Sequence, residues 1–177
     1  MSVDEDLLVS IVKAAAQVNL EFILIGNTAA ALQAVPVMTE DFDLFVRYTP
    51  RNLEKIKAFG NLLGGSVSQP YDPLSRMMRL VTEQVSVDFV FGLSSRSKFE
   101  AVRSRALRIK LGRHEIKVAS LEDIIAAKEA ANRPKDRATL HILKNTLRVK
   151  CTLKEEQAEY GSLRLSRSRN RDKKTRR

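Results

Sequence analysis

The sequence predicts an α/β (α+β) domain, a mixed β-sheet flanked by helices and followed by further helices at the C-terminal end. Three observations carry this expectation. Short apolar runs such as Phe22-Ile-Leu-Ile25 have strand length, and stripes of helical period lie between them. Two segments also read as hairpins, which require antiparallel neighbours within the sheet.

The elements follow in order. Ser2 with Glu5 three residues on forms a capping box, and Leu7, Leu8, Ile11, Val12 and Ala15 recur at helical spacing. The strand Phe22–Ile25 is halted by Gly26. Asn27 is placed to cap a helix containing Ala29, Ala30 and Leu32, which ends before Pro36. A second strand carries Asp41 and Asp43. Pro50 suits the first position of a helix with Leu53, Ile56, Phe59 and Leu62 as its stripe, broken by Gly64-Gly65. Residues 77–81 and 85–91 form the first expected hairpin, with Thr82-Glu83-Gln84 near its turn. A loop or short helix covers 94–104. Residues 107–111 and 116–118 flank Gly112-Arg113 as the second hairpin. Ser120 and Asp123 open a strong helix, Pro134 begins another through Leu147, and a last helical piece spans 153–163. The expected organisation is one domain over 1–163, with its core at about 20–118, its helical part at about 120–163, and a basic, disordered tail over 164–177.

Composition narrows the class. A chain of 177 residues with 44% hydrophobic content is long enough to bury a core. No apolar run reaches the roughly 18 residues of a membrane span, and the acidic start Met-Ser-Val-Asp-Glu-Asp is unlike a secretory leader. The expectation is a cytoplasmic protein without a membrane partner. Cys151 is the single cysteine, and His114 and His141 are the only histidines, which argues against disulfides and structural zinc. There is no P-loop motif and no glycine-rich dinucleotide fingerprint, and no nucleophile motif accompanies either histidine. The stretch 164–177 has eight basic residues against Asp172, so it holds +7 of the net +10. Such a tail reads either as an attraction for nucleic-acid phosphates or as a solubilising end.

The chemistry is concentrated in three aspartates. Asp41 and Asp43 interrupt Asp-Phe-Asp-Leu-Phe-Val, and Asp88 interrupts Val-Ser-Val-Asp-Phe-Val-Phe. Aspartate is depleted in strands, and an unpartnered carboxylate is costly to bury. Alternation puts Asp41 and Asp43 on one strand face and Phe42, Leu44 and Val46 on the other. If the two strands are neighbours, three carboxylates converge, and such hard oxygen donors suit Mg²⁺ or Mn²⁺. The competing reading is that each is solvated at a strand end or paired with an arginine.

Taken together, Phe22-Ile-Leu-Ile-Gly-Asn-Thr-Ala-Ala-Ala-Leu, Thr39-Glu-Asp-Phe-Asp-Leu-Phe-Val and Val87-Asp88-Phe89 resemble the nucleotidyltransferase superfamily. More narrowly, the chain resembles small prokaryotic nucleotidyltransferase-like proteins that include toxins of toxin–antitoxin pairs. Leu121-Glu-Asp-Ile-Ile-Ala-Ala-Lys128 and Arg133-Pro-Lys-Asp136 extend the likeness, which covers about residues 20–147. The resemblance implies a nucleotidyltransferase-like fold and transfer of a nucleoside monophosphate from an NTP, with two divalent ions, to an acceptor hydroxyl. It also implies that Asp41, Asp43 and Asp88 are metal ligands and catalytic residues, with Asp88 able to take the acceptor's proton. Gly26, Asn27, Thr28, Lys128 and Lys135 would bind the nucleotide. For Lys128 a solvated helix surface is the alternative, for Arg133 a surface role, and for Asp136 a helix-dipole contact. Implied acceptors are RNA (tRNA included) or protein, then a small molecule such as an antibiotic, with an antitoxin as a partner. Asn27 and Val37 depart from the family pattern, where glycine or serine and arginine are common. The second hypothesis is therefore a fold that binds nucleic acid or protein without turnover.

Overall fold

A computed structural model of the protein describes residues 4–39, 41–70 and 76–174. The chain divides into two units, residues 1–143 and residues 144–177. Seven strands lie in the first unit: β1 (Ile23–Ile25), β2 (Asp41–Phe45), β3 (Ser66–Ser68), β4 (Met77–Val81), β5 (Ser86–Val90), β6 (Leu107–Leu111) and β7 (His114–Val118). The helices are α1 (Glu5–Gln17), α2 (Gly26–Ala31), α3 (Pro50–Leu62), α4 (Phe99–Arg105), α5 (Leu121–Ala131) and α6 (Pro134–Lys174). None of the described helices is long and apolar enough to cross a membrane.

The strands form one mixed sheet in the order β3-β4-β5-β2-β1-β7-β6. β2 runs parallel to β5 and β1 runs parallel to β7, while the remaining pairs are antiparallel. Both expected hairpins are present, as β4–β5 and β6–β7. Residues paired across a ladder share a face, so Leu24, Leu44, Phe89 and Met78 form one apolar row. The α3 residues Ile56 and Phe59 are fully buried, and the Phe59 ring meets Phe89 edge-on with centroids 5.2 Å apart. This apolar side anchors the sheet and leaves its opposite face free to carry charge.

At one end of that opposite face, Glu21 accepts hydrogen bonds from Lys117, from Arg47 (2.8 Å) and from Arg103 (2.6 Å). Burial alone would raise this carboxyl, but the three cations bring it down to about 2. The node ties the approach to β1 to β2's exit, α4 and β7.

Several local expectations change. Helix α1 is capped by Asp4, whose side chain accepts from the Leu7 N–H at 3.0 Å. Ser2 lies outside the described residues. Asn27 does not cap α2, which starts at Gly26 after Ile25 with no side-chain cap. Leu62, expected on the apolar stripe of α3, is 51% exposed. The two expected C-terminal helices are a single element, α6, because no glycine or proline interrupts residues 135–160. The backbone of 164–174, expected as a separate tail, belongs to this helix, and 175–177 lie outside the described residues. Strand β3 was not expected at all.

Phe59→Ala removes a fully buried ring that faces Phe89. It is expected to cost about 3–5 kcal/mol in urea unfolding. A loss below about 1 kcal/mol would contradict this packing.

Candidate active site

The face opposite the apolar row carries Ile25, Asp43, Asp88 and Arg79 in one line across β1, β2, β5 and β4. Asp43 is the direct register partner of Asp88, and Asp88 is that of Arg79. Asp41 lies two residues earlier on the same face of β2, opposite Ser86. The two acidic strands are therefore neighbours, and their carboxylates share one face.

These residues line a cleft of about 640 Å³ in the first unit. Its walls also include Gly26, Asn27, Lys128, Lys135, Arg76 and Arg133. Thr28 is not among them. It is 1% exposed and stands behind the wall. Its hydroxyl lies 2.7 Å from that of Thr39 and 2.8 Å from the Asp41 carbonyl, which holds the start of β2 in place. Asn27 donates from Nδ2 to the Met38 carbonyl at 3.1 Å, joining α2 to the approach to β2.

Gly26 is required by Asp43. A Cβ at position 26 would sit 2.1 Å from Asp43 Oδ2, and the backbone there has φ of +70°. Both the close approach and the left-handed conformation favour glycine.

The carboxylates differ in their partners. Asp88, 6% exposed, accepts a bidentate pair from Arg79, Nε to Oδ1 and Nη2 to Oδ2, both at 2.6 Å. Asp43 is pushed up to about 6, first by burial and then by the charges of Asp88 and Asp41, while Lys135 and Lys128 pull the other way. Asp136, 1% exposed, accepts from Arg133 at 2.6 Å and from Lys128 at 3.3 Å. Burial works against the Asp136 carboxylate, but these two cations hold it below its ordinary range. Lys128 is thereby fixed on the cleft wall, contrary to the solvated alternative, for its side chain is only 12% exposed.

Among the described residues, no three acidic, histidine or cysteine side chains form a ready-made metal cage. The expected carboxylate trio is brought together on one face, but Asp88 is turned to Arg79. Asp41 and Asp43 still offer hard oxygen donors, and like charges crowd Asp43. No cysteine or histidine is among the lining residues. This donor chemistry fits Mg²⁺ or Mn²⁺ rather than a thiophilic metal.

The sequence reading overlooked Arg79, Arg76 and Asp123, all of which line the cleft. Arg79 had a signal, since alternation with Met78 and Leu80 places it on the polar face of the expected hairpin.

A mixed sheet with an acidic pair on one central strand and a third aspartate on its parallel neighbour defines a nucleotidyltransferase-type fold. Comparison with solved structures supports that class. The solution structure of the antibiotic-resistance factor ANT(2'')-Ia matches with a TM-score of 0.60 and 18% identity, over 90% of this chain and 94% of that one. ANT(2'')-Ia in complex with adenylyl-2''-tobramycin matches with a TM-score of 0.58 and 18% identity, over 88% and 98% of the two chains. The nucleotidyltransferase-designated TM1012 of Thermotoga maritima gives 0.54 and 19% identity, over 82% and 96%. At such identities the likeness is one of fold. No curated protein sequence matches the chain.

The chain belongs to the family described as nucleotidyl transferase of unknown function (DUF2204), which matches residues 5–174. It is a transferase of that family.

Two outcomes follow. Gly26→Ala should displace the Asp43 carboxylate and strain the backbone, seen as a loss of stability in urea unfolding; unchanged stability would refute the close approach. Asp43→Asn should stabilise the protein in chelator at pH 8. The folded carboxyl keeps its proton up to about 6, against 3.8 ordinarily, so wild-type stability falls as pH rises between those values. The gain should be about 3 kcal/mol at pH 8 and vanish below about pH 3, as read by urea unfolding. A destabilised variant at pH 8 would contradict the crowding.

Proposed function

We propose that this protein transfers a nucleoside monophosphate from an NTP to an acceptor hydroxyl, in a Mg²⁺- or Mn²⁺-dependent reaction at the Asp41/Asp43/Asp88 cleft. The observation that carries this is the direct register of Asp43 and Asp88 on adjacent strands, with Asp41 on the same face. Divalent ions bound there supply charge neutralisation at phosphate and alignment of the attacking and leaving oxygens.

The chain's own residues divide the remaining work. Asp41 and Asp43 would hold the ions, and Gly26 keeps space for the Asp43 carboxylate. Lys128 and Lys135, whose charges already act on Asp43, attract the triphosphate to the same place. Asp136 acts through Lys128 by fixing its ammonium. Ile25, Met77 and Val90 supply an apolar stretch of wall. Both Asp88 oxygens accept from Arg79, so removal of the acceptor's proton is not assigned to Asp88.

For the acceptor, RNA is favoured by the strongly basic sequence over 164–177, which suits a polyanion. A small-molecule hydroxyl is the second reading, favoured by the structural likeness to a protein seen with adenylyl-2''-tobramycin. A protein hydroxyl, a toxin role and an antitoxin partner rest on sequence resemblance alone.

The test offers each α-labelled NTP with Mg²⁺ to RNA, protein and polyhydroxylated small molecules. Label should pass to one class, and Asp43→Ala should reduce it about a hundredfold or more. Removal of residues 164–177 should weaken RNA labelling and flatten its dependence on salt. Equal labelling with and without Asp43, or no label on any acceptor, would overturn the proposal.

A further inference from the structure

Arg79 stands in a position that the proposed reaction leaves unexplained. Its guanidinium closes a planar fork on Asp88, with both bonds at 2.6 Å, and so occupies both oxygens of the carboxylate nearest to Asp43. The partners differ in accessibility: the Asp88 side chain is 9% exposed, whereas that of Arg79 is 41% exposed and lines the cleft. Asp88 is fixed by its strand, while the guanidinium is on a long flexible stem with open space beside it. The same fork geometry that fits a carboxylate also fits a phosphate. Asp43, in register beside Asp88, has no such fork; the charges of Lys135, Lys128, Arg79 and Arg133 act on it without closing on its oxygens.

We propose that Arg79 is a nucleotide-phosphate ligand held in reserve by Asp88. Before nucleotide enters, Arg79 neutralises Asp88 and limits the repulsion between Asp88 and Asp43. When a divalent ion arrives with the nucleotide, the ion takes over neutralisation of Asp88, and the released guanidinium pairs with the triphosphate. The exchange breaks the two Arg79–Asp88 hydrogen bonds and makes others between the guanidinium and the triphosphate, while Asp88 would take the place of a water on the ion; each charge keeps a partner in both states. It also couples metal and nucleotide: the metal alone must compete with Arg79 for Asp88, whereas the metal–nucleotide complex offers Arg79 a new anion. The inference rests on the nucleotidyl-transfer reading of the same cleft.

The experiment compares full-length wild type, Arg79→Gln and Arg79→Lys. Mn²⁺ binding is followed by electron paramagnetic resonance without nucleotide, and binding of a nonhydrolysable ATP or GTP analogue by calorimetry with saturating Mn²⁺. For Arg79→Gln the two readouts should move in opposite directions: Mn²⁺ alone binds several-fold tighter, and the analogue about tenfold weaker. Arg79→Lys, which keeps the charge but loses the fork, should also bind Mn²⁺ more tightly than wild type and the analogue more tightly than Arg79→Gln. A purely structural ion pair would weaken both affinities together or leave both unchanged, and either result overturns the exchange. If wild type binds neither Mn²⁺ nor the analogue, the nucleotidyl-transfer reading falls and the exchange falls with it. If wild type binds them and Arg79→Gln binds the analogue equally well, only the exchange falls.

Discussion

Two carboxylates repel one another across the parallel register of β2 and β5, and much of the cleft answers that repulsion. Adjacent strands lie about 4.8 Å apart, and two unit charges at about 5 Å cost on the order of 3 kcal/mol at an effective dielectric of 20. A domain of ordinary stability does not carry such a cost without a compensating partner. Asp88 has one in Arg79. Asp43 has only partial relief, which is why burial and its acidic neighbours push it up to about 6. The residue left least neutralised is the one best placed to gain from a divalent cation.

The rest of the fold delivers groups to this point. The apolar row Leu24-Leu44-Phe89-Met78 fixes the strands against α3, so the opposite face has a defined register. Gly26 allows Asp43 to lie against the start of α2, and Thr28 and Thr39 hold the Asp41 carbonyl from behind. From the other wall, buried Asp136 at the beginning of α6 fixes Lys128 of α5. Charge and backbone are thus placed by burial on one side and by ion pairs on the other.

Much of this was legible from residue pattern. Asp41, Asp43 and Asp88 stand out because strands rarely carry acids, and alternation alone puts the first two on one face. The hairpins and α5 follow from periodicity and from the Ser120 cap, which accepts from the Asp123 N–H. Other features depend on partners that sequence does not reveal. The pairing of Arg79 with Asp88 needs the β4–β5 register, which a turn region of several residues leaves open. Thr28 shows its supporting place only once β2 is set beside α2. Strand β3 is three residues of Ser-Val-Ser after two glycines, too short and polar to show an alternating pattern. The continuity of α6 across the two expected pieces reflects the absence of glycine and proline from residues 135–160.

The central claim is that Asp41 and Asp43, with Asp88 beside them, are the place where a divalent ion and an NTP meet. Crystals soaked with Mn²⁺ and a nonhydrolysable NTP test it most directly through the anomalous signal of manganese. The account predicts a peak about 2.1 Å from oxygens of Asp41 and Asp43, with the triphosphate reaching toward Lys128. Manganese bound elsewhere, or a nucleotide seated away from the Asp43–Asp88 row, would contradict it.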